Sequence, residues 1–334
     1  MYPQIRTGAF QYFPELVEEL NGDIDWIWTQ SGFDTRLLEG KDNLIPTEQY
    51  IHCLRLASAT TGHSDFGLLL STRQSVDMLG AVGLLAEAED LLGGSVDTIG
   101  RFLRLHNSSS IVTVQQYSDK VLLTYDDIAP RFTRDPQICD FAMGFATKLA
   151  RESLGEGWNP MAVYFVHKEP ENLESFSEIF RCPLYFNQEF YGVAIENMAL
   201  QAVQPKADKS KRVSLLQHLE QMQQQVSANE KYANLVGYLI HVLLPNGGCS
   251  EDNVAKLLQM NKRTLQRRLL DEDTSYKTIL NSIRMDLARQ YLLETKISLT
   301  NMASYLGYSE LSAFSRFFRS QQGCSPMDYR KTGK

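Results

Sequence analysis

A short segment near the carboxyl end of the chain, residues 261–269, reads NKRTLQRRL and has two distinct faces when it coils as a helix. Its two leucines are four positions apart, so they lie on one side and face a core. The opposite side carries Arg263, Gln266 and Arg267, whose long side chains end in hydrogen-bond donors. Arginine can bond the edge of guanine in the major groove of DNA, and glutamine the edge of adenine. The pattern is typical of a recognition helix.

A second helix is predicted immediately before this segment. Ser250 can cap its amino end, with Glu251 and Asp252 in the first turn, where the helix dipole favours negative charge. The dipeptide Met260-Asn261 interrupts the helix, and Asn261 is a good cap for the recognition helix that follows. Two helices joined by a short turn predict a helix-turn-helix unit.

The same arrangement returns about 48 residues later, as counted along the chain. An apolar face between Leu299 and Leu306 is followed by a turn at Gly307-Tyr308, and Ser309 is expected to cap a helix over 310–319. Gly323 ends that helix, and Ser325-Pro326 begins a last one. Phe314, Phe317 and Phe318 are expected in the core, and Ser312, Ser315, Arg316 and Arg319 outside.

The two units are separated by a continuous helical pattern from Tyr276 to Glu294, YKTILNSIRMDLARQYLLE. Nineteen residues make a helix of about 28 Å at 1.5 Å per residue. Successive major-groove segments on one face of B-DNA are about 34 Å apart. The spacing therefore predicts a rigid helix that lets one chain read two successive grooves.

At its carboxyl end the chain resembles the DNA-binding domain of the AraC/XylS family of transcriptional regulators. The resemblance covers about 100 residues. It is carried by residues 261–269, Leu306-Gly307-Tyr308-Ser309, Phe314-Ser315-Arg316-Phe317-Phe318-Arg319, and Gly323 with Ser325-Pro326 and Tyr329-Arg330.

The resemblance implies that the first recognition helix reads most bases and that the second mainly grips the DNA backbone. Gln259 stands where the family usually has glycine. Glu310 and Leu311 occupy the tip of the second recognition helix in place of strong hydrogen-bond donors, and this second departure favours the division. The predicted DNA contacts are Asn261, Lys262, Arg263, Thr264, Gln266, Arg267, Arg268, Ser309, Ser312, Ser315, Arg316 and Arg319.

The first 200 residues mix helical and strand periodicities. Helices are predicted over 47–60, 96–106, 140–153 and 171–180, a hairpin over 111–125, and strands over 162–167, 184–186 and 190–195. Because no regular alternation of strand and helix appears, the predicted fold is an α+β domain followed by an all-α domain with two helix-turn-helix units joined by a long helix.

Three regions are predicted: an α+β sensor and dimerisation domain at 1–200, a linker at 201–229, and a DNA-binding domain at 230–334. The linker contains a polar run, QPKADKSK at 204–211, and a helical stripe of Val213, Leu216, Leu219 and Met222. That stripe can pair with a second copy of the chain or pack on its own domain.

Residues 1–200 resemble the arabinose-binding-type sensor domain of one branch of the AraC/XylS family. The likeness rests on Phe66-Gly67-Leu68, Asp97-Thr98-Ile99, FSEIF at 176–180 and PLYF at 183–186. It implies a small-molecule effector and a homodimer, and it identifies no effector-binding residues. Members of that branch respond to small metabolites and to signals of cell density.

Charge is distributed unevenly between the two ends of the 334-residue chain. Residues 230–334 hold 15 Lys and Arg against 10 Asp and Glu, a balance of +5, whereas the remainder holds 18 against 30, a balance of −12. A basic carboxyl-terminal part favours a nucleic-acid partner. No secretory signal or membrane-spanning run is evident, so the expected location is the cytoplasm, without a membrane partner.

Catalytic and metal-binding patterns are not found. The five cysteines are far apart and form no Cys-x-x-Cys pair, and the six histidines are scattered, so no metal, cofactor or catalytic residue is expected. The predicted partners are double-stranded promoter or operator DNA, a small-molecule effector of unknown identity, a second copy of the chain, and RNA polymerase.

The sequence thus predicts a sequence-specific transcriptional regulator controlled by an effector, and not an enzyme. One alternative is a ligand-independent regulator whose amino-terminal domain dimerises or docks a partner protein. A deep apolar pocket would favour the sensor. The other alternative, an enzyme carrying a DNA-binding module, requires a cluster of carboxylates or histidines with strongly shifted pKa values.

Overall fold

The computed structural model describes residues 3–40, 42–127, 134–229, 231–244, 249–258, 260–294 and 297–332. Internal contacts divide the chain into two compact units, an N-terminal unit of Met1–Gln223 and a C-terminal unit of Gln224–Lys334. Gln259, where the family usually has glycine, lies outside the described residues. No helix in the described ranges is both long enough and apolar enough to cross a membrane.

The N-terminal unit is built from short helices around one main sheet. Its strands are β1 Gln4–Arg6, β2 Leu44–Pro46, β3 Ser110–Gln116, β4 Lys120–Asp127, β5 Ala162–Tyr164, β6 Leu184–Tyr185 and β7 Tyr191–Glu196. Its helices are α1 Phe13–Glu19, α2 Ile24–Ser31, α3 Thr47–Thr61, α4 Phe66–Arg73, α5 Ala81–Ala88, α6 Leu92–Phe102, α7 Pro136–Leu154 and α8 Glu174–Phe180, and α9, Lys209–Asn229, begins in it. The α+β prediction is confirmed.

The main sheet has the strand order β3-β4-β7-β5-β6 and is antiparallel except between β5 and β6. Side chains alternate between the two faces of each strand. Val112 on β3 pairs with Tyr125 on β4, and Leu123 on β4 pairs with Val193 on β7. One apolar face of the sheet therefore faces the inside of the unit.

Helix α7 is the central helix of the N-terminal unit and packs closely on α4. Gly67 on α4 makes this approach possible, because a Cβ atom there would lie 1.9 Å from the carbonyl oxygen of Gln137. The Gln137 side chain reinforces the contact, since its Oε1 accepts a hydrogen bond from the Gly67 amide at 2.8 Å. A side chain at position 67 would force the two helices apart.

Most predicted elements of this unit are present, with shifted ends. The helix expected over 96–106 begins at Leu92 and ends at Phe102, where a 3₁₀ turn follows. The helix expected from 171 begins at Glu174, because the Asn172 side chain accepts the Glu174 amide hydrogen at 2.9 Å and forms a turn there. Strand β5 is three residues long instead of six.

Most of the apolar stripe of α9 packs on the N-terminal unit. Leu219 is fully buried in the main core, and Leu216 and Met222 lie against that core. Val213 stays exposed at 55 % of its surface. Of the two roles left open by the sequence, packing on its own domain is the one observed for most of the stripe.

The C-terminal unit consists of helices around a single apolar core. The helices are α10 Tyr232–Leu243, α11 Glu251–Leu257, α12 Lys262–Leu270, α13 Tyr276–Glu294, α14 Leu299–Tyr305, α15 Leu311–Gln322 and α16 Pro326–Thr332. Leu265 and Leu269 from α12 and Phe314 and Phe318 from α15 have no exposed surface. The two helix-turn-helix units, α11–α12 and α14–α15, and the 19-residue helix between them follow the predicted pattern.

Candidate nucleic-acid interface and internal cavity

Helix α12 is held at both ends and along its inner face, so that its outer face is presented in one fixed orientation. The Asn261 side chain accepts the Thr264 amide hydrogen at 2.8 Å and caps the helix, as the sequence predicts. Arg263 and Arg267 are exposed, and no hydrogen-bond or ion-pair partner of either is found among the described residues. Their guanidinium groups are free to bond an external acceptor.

Two other predicted DNA contacts are held by carboxylates of the preceding helix. The Lys262 Nζ atom lies 3.2 Å from Glu251 and 3.1 Å from Asp252. The hydrogen bonds to Asp252 and Glu251 raise the pKa of Lys262, which stays charged. Gln266 donates from Nε2 to Oε1 of Glu251 at 3.1 Å. Glu251 therefore fixes the positions of both side chains on the outer face of α12.

Arg268 has a different environment from the other arginines of α12. It is half-buried, and its guanidinium carbon lies 4.3 Å from the ring centre of Tyr232 on α10. Glu272 strengthens the same junction, because its carboxylate accepts the amide hydrogens of Tyr232 and Ala233 at 2.7 and 2.9 Å. The structure thus places Arg268 in a packing contact between helices, with only part of its surface available to DNA.

The second helix-turn-helix unit begins its recognition helix later than the sequence suggests. Ser309 was expected as the helix cap, but α15 begins at Leu311 and Glu310 occupies the cap position without a side-chain cap bond. The expected cap is wrong, and the preceding turn is held by a residue of another helix. Arg284 on α13 donates to the carbonyl oxygens of Leu306 at 2.8 Å and Gly307 at 3.1 Å.

The exposed side of α15 carries fewer strong donors than that of α12. Ser309, Ser312, Arg316 and Arg319 are exposed, and Ser315 is half-buried. The hydroxyl of Ser312 donates to Glu310 at 3.0 Å. Neither Arg316 nor Arg319 has a hydrogen-bond or ion-pair partner in the described ranges. Arg284 joins the middle of α13 to the turn between α14 and α15, and its guanidinium also lies 4.3 Å from the Tyr308 ring centre.

The N-terminal unit encloses a cavity of about 490 Å³ between the sheet, α6 and α7. Its volume is in the range of small-molecule sites, about 300–1,000 Å³. The sheet contributes Val112, Leu123, Val193 and Ile195, and α6 contributes Val96 and Ile99. On α7 the lining residues are Ile138, Phe141, Ala142, Met143, Phe145, Ala146, Leu149, Ala150, Glu152 and Ser153. The walls are predominantly apolar.

One end of the cavity is lined by buried, uncharged polar groups. His106 is buried, and its Nδ1 atom has no hydrogen-bond partner. Burial and then the nearby charge of Arg6 lower the pKa of His106 to about 3, so its ring is neutral at pH 7. The Tyr125 hydroxyl lies 3.0 Å from the Ser110 hydroxyl. Asn107 completes this end and donates to Asp127 at 3.1 Å.

The other end is lined by charged and amide side chains near the surface. Lys206 Nζ lies 2.6 Å from Oε1 of Glu87, and Gln204 links Ser153 and Ser95 through contacts of 2.9 and 2.8 Å. Glu152 and Glu156 also line this end and are exposed. Although part of Glu152 is exposed, partial loss of water around its carboxyl group raises its pKa above the usual value, against the opposing charges of Lys148 and Lys206.

Two family models match the chain, one for each unit. The model described as the arabinose-binding domain of AraC transcription regulators matches residues 22–202, more than half of the chain. The model described as a helix-turn-helix domain matches residues 254–332. The chain belongs to the AraC family of transcriptional regulators. It is therefore a DNA-binding transcriptional regulator, as the sequence predicts.

Several transcriptional regulators of known sequence or structure are similar to this chain. The HTH-type transcriptional regulator VirS of Mycobacterium tuberculosis is 26% identical over 332 residues, covering 98% of this chain and 97% of VirS. The ornithine utilization regulator of Pseudomonas aeruginosa is 23% identical over 275 residues, covering 82% and 81%. The crystal structure of the transcriptional regulator CdpR from Pseudomonas aeruginosa aligns with a TM-score of 0.46 at 21% identity, covering 96% of this chain and 98% of CdpR.

Sequence reasoning did not identify three features of these sites. Glu251 was treated only as a residue of the first helical turn, and the role of Arg284 depends on a turn 22 residues away. The cavity left a weak signal, because Ala142, Ala146 and Ala150 recur every four residues on one face of α7. Small side chains at helical spacing leave a groove where larger ones would fill the space.

Proposed function

We propose that this AraC-family regulator is controlled by a small molecule that binds in the N-terminal cavity. The observation that carries the proposal is the cavity itself, which is apolar along its walls and polar at both ends. A cleft of about 490 Å³ with apolar walls leaves apolar surface in contact with water, which is unfavourable unless a ligand covers it. Binding a small molecule covers this surface, and specific pockets combine apolar walls with a few fixed polar groups.

The proposed division of labour follows the sequence. Residues 1–200 sense the effector and dimerise, 201–229 connect, and 230–334 bind DNA. We place the base-reading contacts on Arg263, Gln266 and Arg267, because the two arginines are exposed without partners and Gln266 is held outward on the same face.

The remaining contacts are assigned to the DNA backbone, which fixes register without reading sequence. They are Asn261, Lys262, Thr264, Arg268, Ser309, Ser312, Ser315, Arg316 and Arg319. The weaker donor set on the outer face of α15 supports this assignment for the second unit. We expect the regulator to work in the cytoplasm as a homodimer. At the promoter we expect it to alter the activity of RNA polymerase.

Hydroxyl-radical footprinting of the full-length protein tests the DNA-binding part of the proposal. We expect two protected patches on one face of the duplex, about 10 base pairs apart for each chain, because two recognition helices enter successive grooves. A single patch per chain would mean that only one unit enters a groove. Analytical ultracentrifugation of the same sample measures whether the chain is a dimer.

Filling the cavity tests effector control without knowledge of the effector. Ala146→Trp places a large ring between α7 and the sheet, and Ala59→Trp adds the same ring at an exposed site on α3 as the control. If occupancy is coupled to DNA binding, Ala146→Trp changes the affinity of full-length protein for its site and Ala59→Trp does not. Equal affinities, with both variants folded by thermal unfolding, would favour the ligand-independent alternative.

A further inference from the structure

The lining of the cavity is elongated. Its residues on α7 run from Ile138 to Ser153, which is about 22 Å along the helix at 1.5 Å per residue. A sphere of 490 Å³ would be only about 10 Å across, so the lining extends well beyond a round pocket of the same volume.

The walls between the two ends accept apolar groups only. Ala142, Ala146 and Ala150 leave the space on one side, and Val193 and Ile195 on β7 are buried side chains that form the other. A polar group of a ligand would lose its water here without gaining a hydrogen bond. The middle of the ligand is therefore hydrocarbon or aromatic.

The side chains that line the inner end offer hydrogen bonds and carry no charge of their own. His106 is 4% exposed and lines the cavity, and its Nδ1 atom has no hydrogen-bond partner among the residues that the structure describes. Such an unsatisfied buried nitrogen is costly and uncommon in folded proteins. An oxygen or nitrogen of the ligand would supply the missing partner, and the Tyr125 and Ser110 hydroxyls lie at the same end.

The outer end carries a negative balance. Three carboxylates, from Glu87, Glu152 and Glu156, line it together with one ammonium group, that of Lys206. Lys206 is already paired with Glu87 at 2.6 Å. A ligand with a carboxylate or phosphate at this end would meet more carboxylates than the nearby Lys206 and Lys148 can offset, whereas an amine or an uncharged group would not be repelled.

We propose that the cavity binds an elongated, mainly apolar ligand. It carries a hydrogen-bonding oxygen or nitrogen for His106 at its inner end and no negative charge at its outer end. The inference rests on the proposed effector function, because it names the chemical class of that effector from the same cavity.

Competition among matched amphiphiles tests the ligand class. Full-length protein is loaded with the uncharged fluorescent probe N-phenyl-1-naphthylamine, which is then displaced by dodecanol, dodecylamine or dodecanoate below their micellar concentrations. We expect dodecanol and dodecylamine to displace the probe at concentrations about tenfold lower than dodecanoate. Equal or stronger displacement by dodecanoate would overturn the proposal, and so would failure of all three chains to displace the probe.

Two variants locate the binding within the cavity. Ala146→Trp should abolish probe binding, and the exposed control Ala59→Trp should leave it unchanged. Glu152→Lys reverses one charge at the outer end and should improve displacement by dodecanoate relative to dodecanol. An unchanged order of preference in Glu152→Lys protein, with native thermal unfolding, would refute the assignment of the outer end.

A DNA-binding arm separates this inference from the proposed function. Fluorescence anisotropy measures the affinity of full-length protein for its DNA site with and without dodecanol. Displacement of the probe without a change in DNA affinity would support the ligand class and contradict effector control. A change in DNA affinity produced by dodecanoate but not by dodecanol would support effector control and contradict the ligand class.

Discussion

The carboxylate of Glu251 on α11 is predicted to lower the affinity of the neighbouring helix α12 for DNA. This carboxylate accepts a hydrogen bond from Gln266 at 3.1 Å and lies 3.2 Å from the Lys262 ammonium group. A DNA phosphate would have to compete with this carboxylate for Lys262 and would be repelled by it. Glu251→Gln removes the charge and keeps an oxygen that can accept the Gln266 hydrogen bond.

The expected gain is modest, because Lys262 also contacts Asp252 at 3.1 Å and the group is exposed. Exposed ion pairs of this kind are weak, so we expect about two- to five-fold tighter binding of Glu251→Gln protein to random duplex. One additional phosphate contact should also steepen the slope of log affinity against log salt by about 0.9.

Anisotropy titrations of full-length protein at about 50 to 200 mM salt measure both quantities. Asp271→Asn is the matched control, since it makes the same charge change at an exposed position at the other end of α12. If Glu251→Gln and Asp271→Asn change the slope equally, only net charge matters and the reasoning about Lys262 is refuted.

A second variant tests whether Glu251 also positions Gln266. Glu251→Ala removes the acceptor as well as the charge, so Gln266 becomes free to adopt other rotamers. Sequence preference is measured as the affinity for a DNA duplex selected by the protein from a random pool, divided by the affinity for random duplex. We expect this ratio to be lower for Glu251→Ala protein than for Glu251→Gln protein. Identical ratios in the two variants would show that Glu251 acts on DNA binding through charge alone.

Three further predictions concern base reading, pH and packing. Arg267→Ala should cost about 1–3 kcal/mol on the selected site and relax sequence preference, whereas equal losses on selected and random duplex would remove Arg267 from the base-reading set. Burial lowers the pKa of His106 to about 3 in the folded protein, so between pH 6.5 and 5 this imidazole is protonated only in the unfolded chain. The free energy of unfolding, measured with urea, should therefore fall by about 2 kcal/mol over this pH range. His106→Leu should lose that component, and an unchanged pH dependence would contradict it. Gly67→Ala should destabilise the N-terminal unit by about 1–3 kcal/mol, because the added methyl group clashes with Gln137. Gly100→Ala is the control, since its methyl group meets no atom within 4 Å, and it should stabilise the unit by about 0.5–1 kcal/mol. Similar shifts of the melting temperature in both variants would contradict the clash at position 67.

Local signals were sufficient to predict most of the C-terminal unit. Ser250 and Asn261 cap α11 and α12 as expected, and Gly323 ends α15 in the left-handed conformation with φ of 82°. Each of these signals acts through a residue's own backbone or that of residues a few positions away. The start of α15 could not be predicted in the same way, because Arg284 fixes the preceding turn from a different helix.

The N-terminal unit was less predictable because its ends and its cavity depend on tertiary packing. Helix α6 begins before Gly93, where a side chain would come within 3.0 Å of the Leu200 carbonyl oxygen. Gly93 therefore allows this close contact and does not mark a helix boundary. The cavity requires knowledge of which face of the sheet lies opposite the small residues of α7, and no local pattern supplies that information.

Selection of bound sequences from a random duplex pool, by full-length protein at near-physiological salt, tests the central claim most directly. We expect enrichment of a motif with two half-elements about 10 base pairs apart, because the two helix-turn-helix units of one chain read successive major grooves. Recovery of no motif, with binding that disappears as salt rises, would contradict sequence-specific reading by this chain.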